Sequence, residues 1–127
     1  ATQNEVNGED AASLIANGVK LVAEATNMPC ELAAVQAFNA AGVMFGPAKA
    51  VNAGGVGVSG LEMSQNSARM AWDEAHLATL LEGMMKTIHD SCVEYGTQPN
   101  GKVNYLEGAN IAGFVRVAEA MLSYGHV

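Results

Sequence analysis

Few side chains in this sequence can do chemistry, and the best placed stand beside glycines. Ser59 falls in Gly55-Val56-Gly57-Val58-Ser59-Gly60. A tight glycine turn feeding a helix start leaves amide N–H groups unpaired, and such an end binds a carboxylate or phosphate. Ser59, expected in the first turn of that helix, adds a hydroxyl donor; the same spacing also suits a plain N-cap or local turn bond. The string matches G-x-G-x-x-G letter for letter. The dinucleotide fingerprint, however, needs its glycines directly after a strand and an acid about 20 residues on, closing a second strand. Here a loop is expected between Phe45 and Gly55, and Glu82 has helical surroundings, so the match reads as coincidence.

Two asparagines follow expected strand ends: Asn27 in Thr26-Asn27-Met28-Pro29, and Asn52 in Ala50-Val51-Asn52-Ala53. Open α/β folds bind ligands there. An Asn amide offers a donor and an acceptor, which suits a carboxamide or carboxylate; ordinary turn chemistry explains the same residues. His89 and Cys92 lie three apart on an expected helix, too few to hold a metal. His76 and His126 have no evident partner. Glu107-Gly108-Ala109-Asn110 reads as a helix start with Asn110 a candidate cap. No Ser-His-Asp or Cys-His set can be argued from residue order.

The elements that would position these groups read as follows. Asn7-Gly8-Glu9-Asp10 opens a helix that Asn17-Gly18 ends. Residues 19–24 form a strand, Asn27-Met28-Pro29 a turn, and Pro29 opens a helix over 31–41 that stops at Gly42. Val43-Met44-Phe45 is a second strand, closed by Gly46-Pro47. Residues 48–60 are rich in Gly and Ala, and 61–70 reads helical until Trp72-Asp73 breaks the pattern. Leu77, Leu80, Leu81, Met84, Met85, Ile88, Cys92 and Tyr95 then mark one face of a long helix. After a loop over 97–102, Ile111, Phe114, Val115, Ala118, Met121 and Leu122 mark one face of a last helix.

Two strands and about five helices, in αβαβ order at the start, predict an α/β chain with a parallel sheet. A two-stranded sheet is marginal alone. With an opening at Ala1 that lacks Met, the 127 residues read as the end of a larger α/β domain. Half the residues are apolar and only 15% are charged, which excludes a highly charged disordered tail. A net charge of −7 argues against nucleic acid or an anionic membrane as partner. No stretch reaches a membrane span and no signal peptide is visible. Cys30 and Cys92 read as reduced, small apolar residues, so a cytoplasmic location is expected.

Five ordered strings give the chain a family resemblance: Ala1-Thr2-Gln3-Asn4-Glu5, Asn27-Met28-Pro29, Lys49 to Val56, Ser59 to Asn66, and Gly108 to Phe114. Together they closely resemble the C-terminal third of the hexameric glutamate dehydrogenases, NAD- or NADP-dependent. The resemblance implies the second half of a modified Rossmann coenzyme domain over residues 1–72, and a C-terminal helical segment over 73–127 that packs back on the rest of the enzyme. It implies reversible oxidative deamination of L-glutamate to 2-oxoglutarate and ammonium by a homo-hexamer. It places Ser59 on the substrate's side-chain carboxylate and Val56 against its methylenes. Asn27 and Asn52 would lie where nicotinamide meets the substrate's α-carbon end, and Thr2-Gln3 would border the coenzyme. Two departures stand out: Glu24-Ala25-Thr26-Asn27 replaces the usual Glu-Gly-Ala-Asn, and Gly57 replaces a usual Ala or Leu. The catalytic lysine and aspartate of the family have no counterpart here, so no catalytic residue is expected in this chain, and it is expected to be inactive by itself. The competing reading is a stand-alone, non-catalytic helical module for oligomerisation or small-anion binding.

Overall fold

The computed structural model describes residues 2–125. Asn7 opens the first helix, α1 (Gly8–Ala16), with a full capping box: its side chain accepts from the Glu9 and Asp10 amides, and Asp10 accepts back from the Asn7 amide. Gly18, at φ +81°, turns the chain out of α1. Strand β1 (Leu21–Ala23), helix α2 (Leu32–Ala40) and strand β2 (Met44–Gly46) follow. The strands pair in parallel, with Leu21 opposite Met44, Val22 opposite Phe45 and Ala23 opposite Gly46. The first strand is thus shorter than the six residues expected.

Alternation gives the sheet two different faces. Phe45 is buried and packs with Phe38, Ala34, Ala11, Cys30 and Val43, with Val22 and Ile15 at the margin. The Phe38 and Phe45 rings stack at 6.2 Å between centroids. Leu21 and Met44 point the other way and stay half exposed. There Met85, Ile88 and Tyr105 face Leu21 and Met44 across an apolar hollow of about 270 Å³.

The remaining helices are α3 (Ala48–Val51), a single turn, then α4 (Ala53–Ala68), α5 (Glu74–Gly96) and α6 (Tyr105–Tyr124). The described residues therefore form a helix-rich α/β unit of two parallel strands, five helices of nine residues or more, and one short turn of helix. Asp73 caps α5 by accepting from the His76 amide, where the apolar pattern predicts a restart. The α5 stripe from Leu77 to Ile88 is half-buried, and Cys92 is buried.

Four expectations need correction. Helix α4 starts at Ala53 rather than 61, so the glycines at 54, 55, 57 and 60 are helical and form no turn. At two of them, Gly54 and Gly57, the reason is packing. A Cβ at Gly54 would lie 3.3 Å from Leu81 Cδ1, and one at Gly57 would lie 2.9 Å from Met84 Cε, so the crossing with α5 selects glycine over helix propensity. Pro29 does not open α2: its carbonyl accepts from the Val6 amide, and the helix begins at Leu32 after Glu31. Asn104 rather than Asn110 caps α6, accepting from the Glu107 amide. Finally, Phe114, Met121 and Leu122 are exposed, and α6 turns Ile111, Val115 and Ala118 inward instead.

Candidate functional site

Both parallel strands run toward the same end of the sheet, and each hands over to a segment carrying an asparagine. Beyond β1, Glu24-Ala25-Thr26 leads to Asn27, and beyond β2, Pro47 and α3 lead to Asn52. Asn52 Nδ2 donates to Asn27 Oδ1 at 2.8 Å. Among the described residues nothing else pairs with the Asn27 Nδ2 protons or the Asn52 Oδ1 acceptor, which are available to a ligand. Thr2, Gln3, Ala25, Thr26, Gly55 and Val56 complete an open hollow of about 680 Å³ around the pair.

The opening strip reaches this hollow because it is tied down. Asn4 N–H donates to the Met28 carbonyl and Val6 N–H to the Pro29 carbonyl, both at 2.9 Å, and Glu31 N–H returns a bond to Val6. Thr2 Oγ1 donates to Glu5 Oε1 at 3.0 Å. The Thr2 amide and hydroxyl hold the Glu5 carboxyl below the usual carboxylate range. Met28, at φ +50°, bends the strip's partner segment through the left-handed region.

The structure thus gathers Thr2, Gln3, Asn27, Asn52 and Val56 around one hollow. Ser59 does not line it. It sits in the second turn of α4, exposed, with its hydroxyl donating to the Gly55 carbonyl at 3.1 Å. This corrects the expected first-turn position: free helix-end amides do not surround Ser59, and its hydroxyl is the donor it can offer a ligand. Asn52, Val56 and Ser59 are spaced along one face of the helix, so Ser59 lies about one turn beyond Val56 on the side that borders the hollow. Val56 is 77% exposed and presents its methyls beside the hollow.

Two residues of this region escaped the sequence reading. The Glu24 side chain is buried at 6% exposure, and its carboxylate accepts from the Cys30 amide at 3.2 Å and the Ala48 amide at 2.8 Å. Thr26 Oγ1 is buried and has no hydrogen-bond partner among the described residues. An acid directly after an apolar strand was the visible signal for the first; nothing in the sequence marks the second. Burial pushes the Cys30 thiol up to about 11, helped by a bond to Glu24 and its charge, and burial also raises the Cys92 thiol. His89 is taken up by the Tyr105 hydroxyl at 3.3 Å, away from the hollow. His126 lies outside the described residues.

A polar hollow beyond the carboxyl ends of parallel strands is the ligand position of open α/β domains. The chain belongs to the glutamate/leucine/phenylalanine/valine dehydrogenase family, whose profile matches residues 1–125. Within that family it corresponds to a segment of glutamate dehydrogenases. It is 55% identical over 125 residues to the NADP-specific glutamate dehydrogenase of Salmonella typhimurium, covering 98% of this chain and 28% of that protein. Against the NAD-specific glutamate dehydrogenase of Bacteroides fragilis it is 53% identical over 125 residues, with the same coverage. The crystal structure of Plasmodium falciparum glutamate dehydrogenase superposes with a TM-score of 0.93 at 40% identity, over 100% of this chain and 27% of that one. The chain therefore spans a little over a quarter of the length of these relatives. Among the described residues no helix is long and apolar enough to cross a membrane.

Proposed function

We propose that this chain is the part of an NAD- or NADP-dependent glutamate dehydrogenase that forms the nicotinamide-side wall of the active site and binds the substrate's distal carboxylate. The reaction is L-glutamate plus oxidised coenzyme and water giving 2-oxoglutarate, ammonium, reduced coenzyme and a proton. In this reading residues 1–72 belong to the second half of a modified Rossmann domain, and 73–127 pack back on the remainder of the enzyme, a cytoplasmic homo-hexamer. The observation that supports it most is the Asn27–Asn52 bond across the hollow at the strand ends.

That hollow suits the nicotinamide end of the coenzyme. A carboxamide needs a donor and an acceptor, and the free Asn27 Nδ2 and Asn52 Oδ1 supply both. Bound NAD or NADP supplies hydride transfer at the substrate carbon. Thr2 and Gln3 border the coenzyme on the far wall. The order Asn52, Val56, Ser59 along α4 follows the order of an extended glutamate: α-carbon end, methylenes, distal carboxylate. Val56 excludes water from the methylenes, and Ser59 donates to the carboxylate. Proton transfers fall to the lysine and aspartate carried elsewhere in the enzyme.

The test separates the two ends. In the full-length enzyme, Asn27→Ala raises the coenzyme KM and Ser59→Ala raises the glutamate KM, each about tenfold and each sparing the other substrate. If both substitutions affect both substrates alike, the assignment of ends is wrong.

A further inference from the structure

The asparagine pair rests on two separate chain segments, and one side chain holds both. Glu24 follows β1 directly, and its own amide donates to the Gly46 carbonyl at 3.0 Å, prolonging the sheet ladder. Its carboxylate then reaches in two directions. Oε1 accepts from Cys30 N–H, where the chain leaves the 25–29 turn that carries Asn27. Oε2 accepts from Ala48 N–H, where the chain enters the α3 turn that ends at Asn52. The Cys30 thiol stays protonated beside the same group, because burial and Glu24 push it up to about 11. Among the described residues Glu24 forms no ion pair.

We infer that Glu24 is a positioning residue, whose buried carboxylate clamps the Asn27 turn to the start of α3 and so sets the distance and orientation of the Asn27–Asn52 pair. The inference rests on the reading of that pair as the coenzyme-facing wall. It also explains why an acid stands in so buried a place. Two amide N–H groups converge on the side chain from different segments, and only a carboxylate accepts from both. Glutamine at 24 satisfies one amide and turns an NH2 group against the other. Aspartate, one methylene shorter, reaches only one of them. The clamp is needed because the turn is under tension: Met28 is held at φ +50°, a conformation its side chain disfavours.

The experiment uses the full-length enzyme with Glu24→Gln, Asn27→Ala and the double variant. We expect Glu24→Gln to raise the coenzyme KM about as much as Asn27→Ala, roughly tenfold, and the double variant to be no worse than the more severe single one. A merely structural role for Glu24 would lower Tm but give additive effects on KM. Amide hydrogen exchange provides a readout that does not depend on function: Glu24→Gln should speed exchange at whichever of the Cys30 and Ala48 amides meets its NH2 group, and leave the α5 amides unchanged. If Asn27→Ala raises the coenzyme KM and Glu24→Gln does not, or if the two effects add, the positioning role is refuted while the proposed function stands. If Asn27→Ala changes nothing, the coenzyme-wall reading fails, and the positioning role of Glu24 fails with it; unchanged exchange at Cys30 and Ala48 rules out the clamp itself. Should Glu24→Gln fail to assemble, Glu24→Asp carries the same comparison, since it keeps one of the two bonds.

Discussion

Replacing Ser59 by alanine tests the proposed substrate end of the site, and the geometry sets the size of the effect expected. The Ser59 hydroxyl has one proton, which it now donates to the Gly55 carbonyl at 3.1 Å. A neutral bond of that kind is worth about 0.5–1.5 kcal/mol net. To hold a carboxylate the hydroxyl must turn away from Gly55 and make a charge-assisted bond worth about 1.5–3 kcal/mol. The binding gain is the difference, about 1.5 kcal/mol, or roughly tenfold in affinity. Alanine loses that difference and little else, because the Gly55 carbonyl keeps its place in the helix ladder. Initial-rate kinetics of the full-length enzyme carrying Ser59→Ala should therefore show a glutamate KM about tenfold higher with kcat and coenzyme KM unchanged, the pattern of uniform binding lost. An amino acid of the same chain length without the distal carboxylate should be indifferent to the substitution. A glutamate KM unchanged by Ser59→Ala, or an equal loss with both amino acids, would refute the assignment.

Four other outcomes can be checked directly. Gly108→Ala should lower Tm of the enzyme and cost about 1–3 kcal/mol or more, because its Cβ would meet the Cys92 backbone where α5 and α6 cross; Gly83→Ala, with no atom within 4 Å, should cost nothing and gain up to about 1 kcal/mol. Cys30 and Cys92 should resist alkylation at neutral pH in the native enzyme and react on unfolding, as mass spectrometry would show. The same raised Cys30 thiol gives a sign for alkaline stability. It stays protonated when folded and ionises when unfolded, so its contribution is whole below pH about 9 and is lost as pH rises toward 11, visible as a falling urea midpoint. The isolated 127-residue chain should not oxidise NADH or NADPH with 2-oxoglutarate and ammonium; turnover would show that proton-transfer groups lie within it.

What could be read in the sequence was whatever local chemistry decides. Asn7 and Asp10 announce the capping box of α1, and the spacing from Leu77 to Cys92 announces α5, because caps and helical stripes are written within a few residues. Asn27 and Asn52 were legible as polar groups after strand ends, though not as partners of each other. The errors came where distant contacts overrule local preference. Gly54 and Gly57 look like turn residues until Leu81 and Met84 are seen against them. Pro29 looks like a helix opener until its carbonyl is seen paired with Val6. Glu24 looks like any acid at a strand end, since its partner Ala48 is 24 residues away.

The glycines of α4 also connect the fold to the proposed chemistry. Gly54 and Gly57 meet Leu81, Met85 and Met84 of α5, while Gly55 and Val56 border the hollow. One short run of sequence therefore does two things at once: one face of α4 is pared down so that α5 can approach, and the adjoining face carries Asn52, Val56 and Ser59 in register. A helix fixed on one side by close packing cannot rotate about its axis without driving a Cβ or a methionine into its neighbour. The way the Asn52, Val56 and Ser59 face is turned toward the hollow is thus set by the α4–α5 crossing. The atoms a Gly57 Cβ would meet are the flexible end of Met84, so Gly57→Ala should be absorbed by that side chain and leave the glutamate KM unchanged, whereas a bulkier Gly57→Leu should tilt the face and raise the glutamate KM in initial-rate assays without touching the ligand.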